Sequence, residues 1–100
     1  MIIPKTFRVG KTRYKVTMVD TLPRAFNTGR VNFVKGQMTI ARSCNQTGKE
    51  RGADAQAHTF WHEFVHAALH DMGRPRLCSN EYFVDQMAKR IMDVVRTARF

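Results

Sequence analysis

No run in this 100-residue chain is apolar for long enough to cross a bilayer, and Met1-Ile2-Ile3-Pro4-Lys5 lacks the extended apolar core of a secretory signal. A cytoplasmic protein without membrane contact is the expectation. Cysteine is scarce: Cys44 and Cys78 stand far apart with no C-x-x-C spacing. That excludes a disulfide framework and a zinc ribbon, and leaves two reduced thiols. Acidic residues are also few, eight Asp+Glu against 17 Lys+Arg, giving a formal net charge of +9. Such a charge attracts nucleic acid or an acidic partner. Along the sequence, however, the basic residues are dispersed and no aromatic-basic nucleic-acid motif appears, so solubilising surface charge is the preferred reading. Repeats and low-complexity tracts are absent too. One hundred residues support one core, so a single domain over residues 1–100 and a monomer are expected, without room for the two-lobed body of a large protease.

The first forty or so residues carry a period of two. Lys5 to Val9 and Thr12 to Val19 alternate about a Gly10-Lys11 turn, and Tyr14, Val16 and Met18 share one side. Asp20-Thr21-Leu22-Pro23 breaks the pattern. Arg30 to Val34 and Gln37 to Ala41 then flank a Lys35-Gly36 turn. This predicts a small, mainly antiparallel sheet of three to four strands. Residues 42–54 are polar and glycine-punctuated and read as a surface loop. Asp54 is placed to cap a helix running to about Met72, stopped by Gly73 and Pro75. Ser79 is placed to cap a second, antiparallel helix from Asn80 to about Thr97. The fold class is therefore α+β.

The first helix contains His62-Glu63-Phe64-Val65-His66, an H-E-x-x-H motif. Residues four apart share one helix face with a rise of ~6 Å, so both imidazoles can reach one cation. In the zincin signature the two His bind Zn²⁺ and the Glu acts as general base on metal-bound water. At ~100° per residue, His62, His66, Thr59, His70 and Glu63 fall within an arc of ~100°, while Phe60, Trp61, Phe64, Val65, Ala67 and Ala68 occupy most of the rest. A helix so apolar is buried, and its polar stripe lines a cleft. Two core histidines satisfied by hydrogen bonds alone would leave Glu63 buried without a partner, which favours metal ligation.

On the second helix, Glu81 and Asp85 lie on or beside the apolar face formed by Val84, Met87, Ala88, Ile91, Val95 and Ala98. Carboxylates in such a position need a cation or donors. Glu81 is the expected third zinc ligand, and Asp85 is expected to accept the free N–H of a ligating imidazole. The alternative exchanges the two. Cys78, close in sequence, is a minor ligand candidate.

His62-Glu63-Phe64-Val65-His66 followed by Asn80-Glu81-Tyr82-Phe83-Val84-Asp85 resembles the gluzincin pattern, H-E-x-x-H with a downstream N-E-x-x-x-D, as in thermolysin-like peptidases. The short sheet and the helix after Glu81 are more similar to the compact ImmA/IrrE-like metallopeptidases, many of them encoded by phages. The resemblance implies a minimal zincin-like fold, His62, His66 and Glu81 on Zn²⁺, Glu63 as catalytic base, and a protein or peptide substrate, in the host cytoplasm if the chain is phage-encoded. The interval from His66 to Glu81 is shorter than is usual in either group. Oxyanion assistance is left to Tyr14, His58, His70, Tyr82 or an arginine. A substrate strand is expected along a sheet edge, with Gln37 to Ala41 the candidate. The alternative function is a non-catalytic, zinc-containing regulatory or nucleic-acid/protein-binding domain. A metal-free helical adaptor would leave two histidines and three acids clustered without a cation.

Overall fold

The computed structural model describes residues 2–100. The period-of-two region forms four strands: β1 Thr6–Val9, β2 Thr12–Val19, β3 Gly29–Asn32 and β4 Gln37–Ala41. β1 and β2 make the expected hairpin, with Phe7 opposite Tyr14 and Arg8 opposite Arg13. β3 and β4 make a second one. Its turn is held by the Asn32 side-chain oxygen, which accepts from the N–H groups of Val34 at 3.1 Å and Lys35 at 3.0 Å. Gly36 completes the turn at φ 64°, where a Cβ would also stand 2.3 Å from the Arg13 carbonyl oxygen. Only glycine satisfies both demands.

The architecture is α+β as expected, but the sheet is mixed, in the order β1-β2-β4-β3. Two pairings are antiparallel and the third, β2 with β4, is parallel. After β2 the chain does not turn back on itself. It travels through residues 20–28, including a 3-10 turn at Arg24–Phe26, to the far edge, and β4 then returns into the gap. Gln37 to Ala41 is consequently an interior strand, which overturns its reading as a substrate edge. The free edge beside the helices is β3.

Three helices follow: α1 Ala53–Asp71, the short α2 Pro75–Cys78, and α3 Glu81–Thr97. α1 is the middle layer. Phe60, Trp61 and Phe64 pack on Met38 and Ile40 of the sheet, with Phe7, Val16 and Met18 alongside. Its other side sends Val65 and Leu69 against Val84 and Ala88 of α3. The caps differ from expectation by a residue or two. Gly52, in extended conformation, precedes α1, and Asp54 lies in its first turn, paired with Arg96 at 3.4 Å. Asn80 rather than Ser79 caps α3, its side chain accepting from Phe83 N–H at 3.0 Å. Ser79 ends α2, which the sequence pattern did not reveal because four residues are too few for a period. Met87 and Val95 stay partly exposed, since α3 packs on α1 through Val84, Ala88 and Met92. Among the described residues no helix is long and apolar enough to cross a membrane.

Ile40 is fully buried between the sheet and α1, whereas Val34 is 96% exposed. Ile40→Ala is expected to cost about 2–5 kcal/mol and Val34→Ala less than about 0.5 kcal/mol in urea unfolding.

Candidate metal centre

With the sheet on one side of α1 and α3 on the other, its polar stripe faces an open cleft. β3 and the preceding segment form one wall, and α2 with the start of α3 forms the other. His58, His62, Glu63, His66 and His70 line the floor. One ligand atom each from His62, Glu63 and His66 lies within 4.8 Å of the others, a group that can hold a metal ion.

α3 completes the cluster. Glu81 presents one carboxylate oxygen to His62 Nε2 at 2.9 Å and the other to His66 Nε2 at 3.2 Å. Donors sharing a tetrahedral ion at about 2.0–2.1 Å stand about 3.4 Å apart, so the Glu81 carboxylate already lies close to the distance from each imidazole that shared coordination requires. Two imidazoles and a carboxylate make a nitrogen-oxygen set suited to a borderline ion such as zinc, not the all-oxygen set preferred by calcium or magnesium.

Behind the histidines stand different partners. Asp85 Oδ1 lies 3.5 Å from His62 Nδ1. The same oxygen is 2.9 Å from His58 Nε2, close enough for an ion pair but not aligned as a hydrogen bond. Lys89, one turn along α3, approaches the other Asp85 oxygen at 3.3 Å. Burial pushes the Asp85 carboxyl up, but the Lys89 hydrogen bond and the nearby His58, Lys89 and His62 together hold it below the usual range. Asp85 therefore stays ionised and able to accept the His62 N–H. Behind His66 is Cys78, whose Sγ sits 3.6 Å from Nδ1 and donates to the His66 carbonyl oxygen at 3.5 Å. Cys78 thus faces the rear of the imidazole, not the side shared with Glu81.

Glu63 is the most enclosed acid of the cleft, 8% exposed. Burial lifts its pKa from 4.5 to about 7; the charge of His62 opposes the rise and that of Glu81 adds to it. Burial likewise lowers the His66 pKa against the pull of Glu81, which favours the neutral imidazole that a metal requires. The enclosure comes from Gly29. A Cβ there would stand 2.6 Å from Thr59 Cγ2 and 3.2 Å from Glu63 Cγ, so only a glycine lets the β3 backbone lie so close over α1. Arg51 fixes the same region. It donates to the carbonyls of Ala41 at 2.8 Å and Ala55 at 2.9 Å, and to the Thr59 hydroxyl, tying β4 to the first turns of α1.

All five residues expected at the site, His62, Glu63, His66, Glu81 and Asp85, therefore meet. The candidates for oxyanion assistance separate. Tyr14 is buried at 2% exposure in stacking contact with Phe7, and Tyr82 points to solvent; neither lines the cleft. His70 does, with its ring stacked on Phe33 at 4.0 Å. The contact of His58 with Asp85 was not anticipated, although His58-His62-His66-His70 repeats at four-residue intervals on one face. Thr59 was read on the polar stripe, but Gly29 and Arg51 carry no motif and were missed.

Because the folded state holds a proton on Glu63 that the unfolded chain releases near pH 4.5, the metal-free protein loses stability as pH rises from there through about 7. Metal-free Glu63→Gln is expected to be more stable than metal-free wild type at pH 8, by at most about 3 kcal/mol, with the difference vanishing near pH 4. Urea unfolding across that range measures it.

No protein-family model, curated protein or solved structure matches the chain, so the reading of this centre rests on its own chemistry.

Proposed function

We propose that the chain is a zinc-dependent metallopeptidase of gluzincin-like type, in which His62, His66 and Glu81 hold Zn²⁺ and Glu63 is the general base. The observation that carries this reading is the Glu81 carboxylate spanning Nε2 of both histidines while Glu63, on the same stripe, is buried beside them and makes no part of that bridge. When bound, zinc supplies a Lewis acid that polarises a carbonyl and lowers the pKa of a coordinated water. A purely structural zinc site usually takes four protein ligands and has no use for Glu63.

The chain's own residues do the rest. Glu63, whose burial in the metal-free chain raises its pKa above the usual carboxylate range, is placed to take a proton from water and return it to a leaving amine. Asp85, 3.5 Å from His62 Nδ1, favours the tautomer protonated at that nitrogen, which leaves Nε2 free. The cleft, about 1240 Å³ and open, exceeds the ~300–1,000 Å³ of small-molecule pockets and suits a length of polypeptide. β3 offers that polypeptide an edge. The Ala41 N–H donates to the Thr28 carbonyl at 2.9 Å, so in the alternating ladder Thr28, Arg30 and Asn32 bond inward to β4. Gly29 and Val31 then turn their N–H and C=O groups outward along the cleft, with Gly29 directly beside Glu63. A substrate strand pairing there passes over the metal group.

Glu63→Gln should retain zinc, measured by metal analysis, and lose at least about 100-fold in hydrolysis of a mixed peptide library. Glu81→Ala should lose both. Val31→Pro removes an outward N–H without touching the β3–β4 ladder; it should keep zinc and raise KM. Absence of zinc from the purified wild type, or full activity of Glu63→Gln, would falsify the assignment.

A further inference from the structure

The charge of this chain is segregated. Residues 1–49 hold ten of the 17 Lys+Arg and a single acid, Asp20, whereas residues 50–100 hold seven basic and seven acidic residues. The whole formal charge of +9 therefore belongs to the part of the chain that builds the sheet. Asp20 itself is engaged by Arg42 at 3.7 Å.

Strand alternation then sorts that charge onto one face. Phe7, Val16, Met18, Met38 and Ile40 point inward to α1. Their neighbours Arg8, Arg13, Lys15 and Arg30 accordingly point outward, and all four are exposed, with Arg30 at the cleft edge and its guanidinium stacked over Phe26 at 4.6 Å. No helix packs on this face, because α1 lies on the inner side and α3 lies beyond α1; only toward the end of β4, where the outward Ala41 is fully buried, is it covered. No Asp or Glu occurs in any of the four strands. Among the described residues no carboxylate comes within 4.0 Å of these four cations. Arg8 and Arg13 are direct cross-strand partners, a like-charge pairing that is unfavourable unless an anion lies over it.

We propose that the outer face of the sheet binds the phosphate backbone of double-stranded nucleic acid without sequence preference. The chemistry between the cations selects this class. Thr6, Thr17, Asn32 and Gln37 fill outward positions, hydroxyls and amides of the kind that contact phosphate oxygens alongside Arg and Lys. None of the outward strand positions is aromatic, and the Phe26 ring near the β3 edge is already stacked under the Arg30 guanidinium at 4.6 Å, so the strands offer no free platform for unstacked bases. Nor do the outward strand positions themselves expose a large apolar side chain of the kind that would enter a lipid surface. A broad sheet of cations reads charge and shape, not base edges. The inference does not depend on the metal site, which opens at the opposite side of the β3 edge.

The test is fluorescence anisotropy of labelled DNA duplexes of two unrelated sequences with the purified full chain. Both should bind with the same affinity, and log K should fall against log salt with a slope of about −3 to −4, corresponding to about four neutralised phosphates. Arg8→Gln/Arg13→Gln should weaken binding at least about tenfold and reduce the slope by about two. Lys15→Gln/Arg30→Gln should behave alike, and neither pair should lower the melting temperature. Arg90→Gln/Arg99→Gln removes the same charge from α3 and the chain end and should change affinity less than about twofold. Equal losses from this last pair would assign the attraction to net charge and overturn the proposal. So would lack of binding at about 50 mM salt, or equally tight binding of poly-glutamate or of phosphatidylserine-containing vesicles.

Discussion

The arrangement of this molecule depends on α1 having to bury apolar side chains on two sides at once. Phe60, Trp61 and Phe64 satisfy the sheet and Val65 and Leu69 satisfy α3, which leaves one strip of the helix that neither layer covers. At roughly 25 cal/mol per Å² of apolar surface, rotating the helix to cover that strip would expose side chains worth several kcal/mol. The histidines, Thr59 and Glu63 occupy the strip because, in the middle of α1, it is where polar atoms can meet solvent or one another, whereas Asp54 and Asp71 sit at the helix ends. Packing thus sets the direction of the metal-binding group before any metal is considered.

The same packing determines the electrostatics of the cleft. α3 lies against α1 through Val84 and Ala88, and the residues on either side of Val84 in helical register, Glu81 and Asp85, are carried to the histidines. Glu81 meets both imidazoles, and Asp85 is shared by His58, His62 and Lys89. Gly29 allows β3 to close over Glu63, and the resulting loss of water raises its pKa to about 7. One acid is kept ionised by cations and the other is driven toward neutrality by burial. Such a divergence between neighbouring carboxyls is the condition under which acid and base roles separate.

The sheet has a second consequence. One face is committed to the core, so the alternating positions had to take polar residues, and in this chain they are cationic. Arg8, Arg13, Lys15 and Arg30 look dispersed in the sequence because strand geometry spaces them by two or more residues and places them on different strands. Folding gathers them. The four-stranded platform and the cleft share the β3 strand, so the basic face and the metal group lie on either side of one edge.

The sequence by itself determined what short periodicities encode. The turns at Gly10 and Gly36, the alternation of four strands, the polar stripe of α1 and the pairing of His62 with His66 depend on residues within a few positions of one another, where backbone geometry dictates direction. Glu81 and Asp85 were legible for a related reason, since a carboxylate on an apolar helix face demands a partner. Only the tertiary structure decided that β4 lies inside the sheet and β3 at its edge, because the crossing through residues 20–28 has no period. It alone placed Gly29 over Glu63, His58 on Asp85, Cys78 behind His66 and the four cations on one face. These are contacts between residues remote in sequence, set by how the layers pack, and the identities of the residues that make them carry no local mark of the neighbour they will meet.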